Sequence, residues 1–419
     1  MENYTLILLI MALMIGVSGI AEKIKIPVPV LLLLAGIAIG FMPAMPGIEI
    51  NPEIIMLLFL PPLLYDASFN ISFQEFKTNI HTIGTLSIGL VFITTVAIAV
   101  TVHYLIPGMT WPLSFVLGAI LSATDAVAAI GITKGLGLPH KTITILEGES
   151  LVNDASALIA YRFAIAAVTG IAFVLWQAAL QFLLVLGGGV LVGIIISRVL
   201  SIVLRFFRTN DLVVISLLLL MPFVTYLTAE HFKVSGVIAV VILGLGMSRL
   251  TREKASDRIK QQSRHFWDVI IFLLNGLIFL LIGLQFPIVL KRMPDAQVWP
   301  YIGYAAAITF MALLVRMVRV YGQQNDLRKA FQRRKRKVSE DALFDSKTSF
   351  IISWSGMRGI VSLAIAIGIP TTLENGVPFP MRNEIIFLSI GVVLLSILVQ
   401  GLSLPYIVRK LSGKNLPVT

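Results

Sequence analysis

Long apolar runs alternate with short polar breaks along almost the whole chain, and this pattern constrains the fold more than any other feature of the sequence. A helix that crosses a bilayer needs about 20 predominantly apolar residues. We identify thirteen such runs, at residues 4–20, 26–42, 51–68, 80–106, 112–132, 142–168, 173–204, 211–229, 234–248, 265–290, 297–321, 348–370 and 384–408. The sequence therefore predicts an all-α polytopic membrane protein with thirteen transmembrane helices.

The composition excludes the other large classes of protein. Only 13% of the residues are charged and 57% are hydrophobic, whereas a soluble globular chain carries about 25% charged residues. The same numbers exclude an intrinsically disordered chain. The chain has no cysteine, which excludes disulfides, thiolate metal sites and cysteine nucleophiles.

Lysine and arginine predict the orientation of the chain. If the N-terminus is outside, 25 of the 33 basic residues fall in inside loops and only 4 in outside loops. Cytoplasmic loops carry such an excess of basic residues. We therefore expect a prokaryotic plasma-membrane protein with its N-terminus outside and its C-terminus in the cytoplasm.

The most basic segment lies between two predicted spans, at residues 328–347. A basic run can bind nucleic acid, but a cytoplasmic loop beside a membrane more simply contacts anionic lipid headgroups. We predict anionic lipids and no nucleic acid as partners of this loop. Few residues follow the last span, so we expect no soluble regulatory domain.

Ionisable residues at membrane depth indicate a functional site because a charge is costly there. Asp125 follows Ser122 and Thr124 in the middle of an apolar span. Such side chains compete for backbone hydrogen bonds and favour a break in the helix. Backbone oxygens exposed by the break, beside a carboxylate, suit a monovalent cation. The alternative is an aspartate that only caps a kinked helix.

Further acids lie in the next span, in the run Glu149-Ser-Leu-Val-Asn-Asp154. Residues four apart share a helix face, so Ser150 and Asp154 form one stripe and Glu149 and Asn153 form another. The two acids therefore point into different environments, and one can face an ion path while the other is paired. Asp154 lies near the middle of its span.

Arg358 lies in a second interrupted span, between Gly356 and Gly359. Two interrupted spans in separate halves of a chain are typical of an inverted-repeat transporter with its site at the midplane. A buried arginine needs a carboxylate partner. We expect Glu149 to be that partner, with a direct pair between Arg358 and Asp154 as the alternative.

Together these motifs resemble the monovalent cation:proton antiporters of the NhaP-type sodium/proton exchanger family. They are Thr124-Asp125, the run 149–154, His231 followed by Ser235-Gly236, Asn275-Gly276 and Ser355-Gly-Met-Arg-Gly359. The resemblance implies two inverted repeats with two broken, crossing helices. It implies a core at about 80–168 and 297–408, a dimerisation domain at about 1–70 and 211–290, a linker helix at 173–204, and a homodimer.

The resemblance also assigns the site. It implies that Asp154 is the main cation ligand and proton carrier, supported by Asp125, Ser150 and the Thr124 carbonyl. Asn153 resembles the neutral residue of the electroneutral branch, and Glu149 and Arg358 would form a structural ion pair. Asp66, at the inner end of the third span, stands where relatives often have a glutamate that reaches the ion, and it is one methylene shorter.

We therefore expect a transporter, not an enzyme, that needs no cofactor. Cation and proton would compete for Asp154, exchanging one Na⁺ (or Li⁺) for one proton by elevator-like alternating access. A K⁺/H⁺ antiporter is the main alternative, and a cation channel is a remote one. An intramembrane aspartyl protease is disfavoured because Tyr65-Asp66 matches only half of that signature.

Overall fold

The computed structural model describes residues 2–24, 28–42, 52–71, 74, 78, 83–125, 129–130, 133, 140–170, 175–207, 211–254, 257–291, 293, 295–332, 345–373 and 376–412. In this part of the chain, β structure is confined to an isolated bridge between Thr372 and Pro378. Most of the basic segment predicted to bind lipid, residues 333–344, lies outside the described residues.

The helices of the N-terminal half follow the predicted spans. They are α1 (Glu2–Ile24), α2 (Val28–Gly40), α3 (Pro52–Asn70), a π-helical turn (Thr85–Gly89) that continues into α4 (Leu90–Leu105), α5 (Trp111–Ser122), α6 (His140–Val168) and α7 (Leu175–Phe206).

The C-terminal half follows its predicted spans in the same way. Its helices are α8 (Asp211–His231), α9 (Gly236–Lys254), α10 (Asp257–Lys291), α11 (Asp295–Gln332), α12 (Ser346–Trp354), α13 (Ile360–Ile367), α14 (Arg382–Ser396), a second π-helical turn (Ile397–Gly401) and α15 (Leu402–Ser412).

Length and hydropathy support membrane insertion. Among the described residues, seven helices are long and apolar enough to cross a bilayer, and four shorter helices are also apolar. The shorter ones include α2, and α5, which is the first half of the span that the sequence predicts to be interrupted. The predicted all-α polytopic architecture is confirmed.

Both predicted interruptions occur at the expected residues. Helix α5 ends at Ser122, and residues 123–125 that follow are not helical. Residues 355–359 separate α12 from α13 in the same way. The two interruptions meet, because the Asp125 N–H donates to the Met357 carbonyl at 2.7 Å. Backbone groups freed by each break are thus satisfied partly by the other, as membrane depth requires.

Helix packing divides the described chain into two groups. In one group α10 packs along α2, and α9 packs against α3, α7 and α8. In the other group α5 packs against α4 and α6, while α11 packs against α4 and α14. The α2–α10 contact is very close: Gly36 and Gly283 face each other, and neither position has room for a side chain. Helices α3, α9 and α10 border the second group.

Candidate functional site

Two fully buried charges form an ion pair between α6 and α11. Arg316 Nη2 donates to Glu149 Oε2 at 2.9 Å, and Nη1 contacts the other carboxylate oxygen. Both side chains are at most 2% exposed. Arg316 Nε also donates to the Ile352 carbonyl near the end of α12, at 3.1 Å. The charge of Glu149 is therefore compensated within the protein.

The predicted ion pair between Glu149 and Arg358 is wrong, and so is the alternative pair with Asp154. Arg358 is buried, but its Nε donates to the Leu121 carbonyl at 3.1 Å and its Nη1 to the Gly356 carbonyl at 3.2 Å. The last carbonyls of a helix lack partners within the helix, and a cation is favoured there by the helix dipole. Arg358 thus caps the interrupted end of α5.

Thr124 connects the ion pair to the break after α5. Its hydroxyl donates to Glu149 Oε1 at 3.2 Å and accepts from Asn153 Nδ2 at 2.6 Å. Its carbonyl accepts from Ser150 Oγ at 3.1 Å and from Asn153 Nδ2 at 3.3 Å. A carbonyl oxygen has two lone pairs, so both are already engaged here. Thr124 holds the side chains of Ser150 and Asn153 in place.

Asp125 lies at the start of α13. Its Oδ2 accepts the Ile360 N–H at 3.4 Å, and the N-terminus of a helix stabilises negative charge. Gly359 packs so closely on the Asp125 side chain that a β-carbon there would clash with the carboxylate. The second interruption therefore places backbone N–H groups next to this carboxylate, which is half-buried.

Asp154 differs from Glu149 and Asp125 because none of the described residues compensates its charge. It is 8% exposed, and within the described chain its carboxylate forms neither a hydrogen bond nor an ion pair. It borders a cavity of about 50 Å³. The cavity is lined by Leu60, Leu63, Leu64, Ala67, Ala123, Thr124, Asp125, Ser150, Leu151, Asp154, Asn275 and residues 359–362.

The structure thus brings four of the five predicted ion-binding residues to one cavity, Thr124, Asp125, Ser150 and Asp154. The fifth, Asp66, does not line this cavity. It borders a separate cavity of about 360 Å³ together with Arg264 and Asp268, and it accepts a hydrogen bond from Asn70 Nδ2 at 3.1 Å.

Two residues at the site were missed by the sequence reasoning. Arg316 lies in an apolar span as Arg358 does, and the position of an arginine within its span does not tell which of the two faces Glu149. Asn275 lines the Asp154 cavity from α10. A polar residue in the middle of the apolar span 265–290 is the signal that could have identified it.

The donor set suits a hard monovalent cation. The polar atoms around the cavity come from carboxylate, hydroxyl and amide side chains, and oxygen ligands are those preferred by hard cations. Among the described residues, no cluster of three or more His, Asp or Glu could hold a metal ion.

Comparisons with known proteins identify the family of the chain. Residues 7–410 match the family model described as sodium/hydrogen exchanger, transmembrane. The chain is 36% identical to a Bacillus subtilis protein named sodium, potassium, lithium and rubidium/H⁺ antiporter, over 96% of this chain and 61% of the relative. It is 32% identical to the Na⁺/H⁺ antiporter NhaH of Halobacillus aidingensis, over 97% of both chains.

A solved structure has the same fold. The sodium proton antiporter MjNhaP1 of Methanocaldococcus jannaschii, at pH 8, superposes with a TM-score of 0.75 over 99% of this chain and 100% of that one. The two sequences are 22% identical. The predicted all-α antiporter fold, with its two interrupted helices, is therefore confirmed.

Proposed function

Because the chain belongs to the transmembrane sodium/hydrogen exchanger family, we propose that it exchanges one Na⁺ for one proton, with both competing for the carboxylate of Asp154. Family membership makes the protein an integral membrane transporter of cations and protons. The stoichiometry, the competition and the preference for Na⁺ are the proposal.

One observation carries the proposal: Asp154 is a buried acid of the cavity that no described residue compensates. Glu149 has Arg316, and Asp125 has the start of α13. A bare carboxylate at membrane depth is costly, so Asp154 is stabilised either by a proton or by a cation. Either occupant neutralises the same group, and this makes the two mutually exclusive.

Exchange follows if the site moves only when it is neutralised. An empty, ionised Asp154 would carry a bare charge through an apolar barrier, which is unfavourable. A protonated Asp154 and a cation-bound Asp154 carry the same net charge. One proton is then exchanged for one cation, and the cycle moves no net charge.

We propose that the two helix groups are the moving and static parts of an elevator-like mechanism. The core comprises residues of about 80–168 and 297–408, and it carries Asp125, Glu149 and Asp154. The dimerisation domain comprises about 1–70 and 211–290, joined to the core by a linker at 173–204. The close α2–α10 contact through Gly36 and Gly283 supports a rigid static part.

The protein would form a homodimer in the plasma membrane, with its N-terminus outside and its basic segment 328–347 on anionic lipids. Supporting this orientation, 25 of the 33 basic residues fall on one side of the predicted topology. Site-specific labelling of single cysteines introduced near Glu2 and Arg409, in intact cells and in everted vesicles, checks it.

Potassium is the second candidate substrate. The relative from Bacillus subtilis that is 36% identical is named for sodium, potassium, lithium and rubidium. The proposal is Na⁺ and Li⁺ first, with K⁺ as the alternative for the same site and the same mechanism.

Proton flux in proteoliposomes tests the proposal. A fluorescent pH probe inside the vesicles reports proton movement when Na⁺, Li⁺ or K⁺ is added outside, and choline is the control for ionic strength. We expect Na⁺-driven flux whose rate is unchanged when valinomycin and K⁺ clamp the potential at different values. Rates that depend strongly on voltage would contradict one-for-one exchange. Cation flux that persists in Asp154→Asn would indicate a channel.

A further inference from the structure

The Asp154 cavity has two chemically different walls. Helices α5, α6 and α13 contribute carboxylates and hydroxyls, whereas α3 and α10 contribute almost only apolar side chains. From these two helices the described lining consists of Leu60, Leu63, Leu64, Ala67 and Asn275. Asn275 is thus the polar side chain that the otherwise apolar wall presents to the ion site.

The amide oxygen of Asn275 lacks a protein partner. Its Oδ1 is buried and accepts no hydrogen bond from the described residues. Buried polar atoms in proteins nearly always have a partner, and an exception needs an explanation. An apolar residue would fill this wall at a lower cost, because an unsatisfied buried acceptor is unfavourable. Asn275 lines the cavity and its Oδ1 has no donor among the described residues, so a rotation of the amide about the Cβ–Cγ bond can present this oxygen to a cation.

Helix α10 cannot easily rotate to carry Asn275 away from the cavity. Gly276, the next residue, packs on the side chain of Met14, and Gly283 packs on the backbone of α2 near Gly36. A β-carbon at either glycine would clash with these neighbours. Binding groups are most precisely placed on rigid, tightly packed elements, and Asn275 lies on such an element.

We propose that Asn275 is a ligand of the transported cation in the conformation of this structure, through its amide oxygen. The inference rests on the proposed function of Asp154. The cation would then be held by Asp154 and its neighbours on one helix group and by a neutral oxygen on the other. A neutral oxygen adds affinity for the cation, and it adds no charge that could compete for the proton.

The position of Asn275 implies that it contributes to cation binding from only one side of the membrane. Asp154 belongs to the group proposed to move, and Asn275 belongs to the group proposed to stay. The cavity borders the 60–67 segment of α3, which is the inner half of that helix in the predicted topology. Asn275 therefore contacts the cation when the site faces the cytoplasm and loses this contact when the core moves outward.

The test compares Asn275→Ala with a matched variant on the same helix, Ser263→Ala. Ser263 Oγ is also buried without a partner, but it borders the Asp66 cavity and lies about 18 Å along the helix from Asn275. Na⁺-driven proton flux is measured in everted vesicles, where Na⁺ reaches the cytoplasmic face, and in right-side-out vesicles, where it reaches the outer face.

For Asn275→Ala we expect the half-saturating Na⁺ concentration to rise roughly five- to tenfold at the cytoplasmic face, which corresponds to the loss of one ligand. The outer face should change less than about twofold, with the maximal rate retained. Asn275→Ser, which keeps an oxygen, should recover part of the affinity. Ser263→Ala should match the wild type at both faces.

Purified protein provides a second measurement if Asn275→Ala inserts poorly into vesicles. A ligand that binds the folded state raises the melting temperature as its concentration rises, so Na⁺ titration of the melting temperature reports binding without transport. Asn275→Ala and Asn275→Leu should both need more Na⁺ for the same increase in melting temperature.

An unchanged half-saturating Na⁺ concentration, with only the rate or the melting temperature lowered, would show that Asn275 is structural and overturn the inference. An equal rise at both faces would overturn the one-sided contact. Asp154→Asn in the same vesicles separates the two proposals. If the wild type exchanges and Asp154→Asn does not, the proposed function stands whatever Asn275→Ala shows.

Discussion

Glu149 and Asp154 lie on the same helix, about 7.5 Å apart along its axis, and they differ in how their charge is compensated. Glu149 faces α11, where Arg316 contacts both of its carboxylate oxygens. It also accepts a hydrogen bond from the hydroxyl of Thr124, in the break after α5. Asp154 faces a small cavity, and among the described residues it has no donor. The difference teaches that burial alone does not single out Asp154; burial without compensation is what supports its proposed role in transport.

Asp125 is intermediate between the two and strengthens the comparison. Its carboxylate borders the same cavity as Asp154, yet it accepts the Ile360 N–H at the start of α13. Its negative charge is therefore stabilised in place. One cavity thus contains a carboxylate with a backbone donor and a carboxylate that, in the proposed cycle, is neutralised by a proton or a cation.

The largest effect is expected at Asp154. Asp154→Asn removes the group that both ions need, so we expect Na⁺/H⁺ exchange to fall by more than about 100-fold. The melting temperature should stay the same or rise, because the substitution removes an uncompensated buried charge. Proton flux in proteoliposomes and thermal unfolding of the purified variant measure the two effects. A marked loss of stability would place Asp154 with Glu149 as a structural acid.

The opposite behaviour is expected on the Glu149 side. Arg316→Met leaves the Glu149 carboxylate buried and unpaired, which should cost about 3–5 kcal/mol of stability. The double variant Glu149→Leu with Arg316→Met should recover most of that loss, since an apolar pair can replace a buried ion pair. Chemical unfolding of the two single variants and the double variant gives the coupling free energy. Additive losses would argue against the ion pair as the source of stability.

A smaller effect is expected at Asn153, which belongs to the Thr124 network and not to the cavity lining. Asn153→Asp replaces the Nδ2 donor by an acceptor facing the Thr124 carbonyl, so we expect a loss of about 1–3 kcal/mol in stability. Transport should remain insensitive to voltage. Voltage-clamped proteoliposomes check this, and a strong voltage dependence would show that residue 153 carries charge through the cycle.

The sequence predicted the positions of the helices and of their interruptions well, because apolar runs and helix-breaking residues are local features. The breaks near Asp125 and Arg358 follow from local polar residues and glycines, and the Ser150–Asp154 stripe follows from helix spacing. The grouping of Asp125 with that stripe came from the family resemblance. Which side chains pair between different helices cannot be predicted in this way. Arg316 and Arg358 are both arginines in apolar spans, and only helix packing decides that Arg316 reaches Glu149 while Arg358 caps α5.

Asp66 is a second case in which the sequence predicted the position of a residue but not its surroundings. Its place at the inner end of the third span was predicted, but the face of α3 that it occupies was not. Leu60, Leu63, Leu64 and Ala67 line the Asp154 cavity, whereas Asp66 lines the other cavity. A rotation of about 100° per residue separates neighbours on a helix, so a motif match at one position does not fix which cavity a side chain borders.

The smallest effect is expected at a second ion pair, which joins α6 to α8 at the opposite end of α6. Arg162 Nη2 donates to both carboxylate oxygens of Glu230, at 2.8 and 2.7 Å. The side chains are 40% and 28% exposed, unlike the buried Arg316–Glu149 pair. Exposed pairs contribute about 0.2–1 kcal/mol, so Arg162→Gln should change the unfolding free energy by no more than that. Arg316→Met should cost several times as much.

Chemical unfolding of both variants in low and high salt checks this contrast. Salt should weaken the contribution of Arg162 more than that of Arg316, because buried charges are screened less. Equal losses in the two variants would break the link between burial and the strength of these pairs.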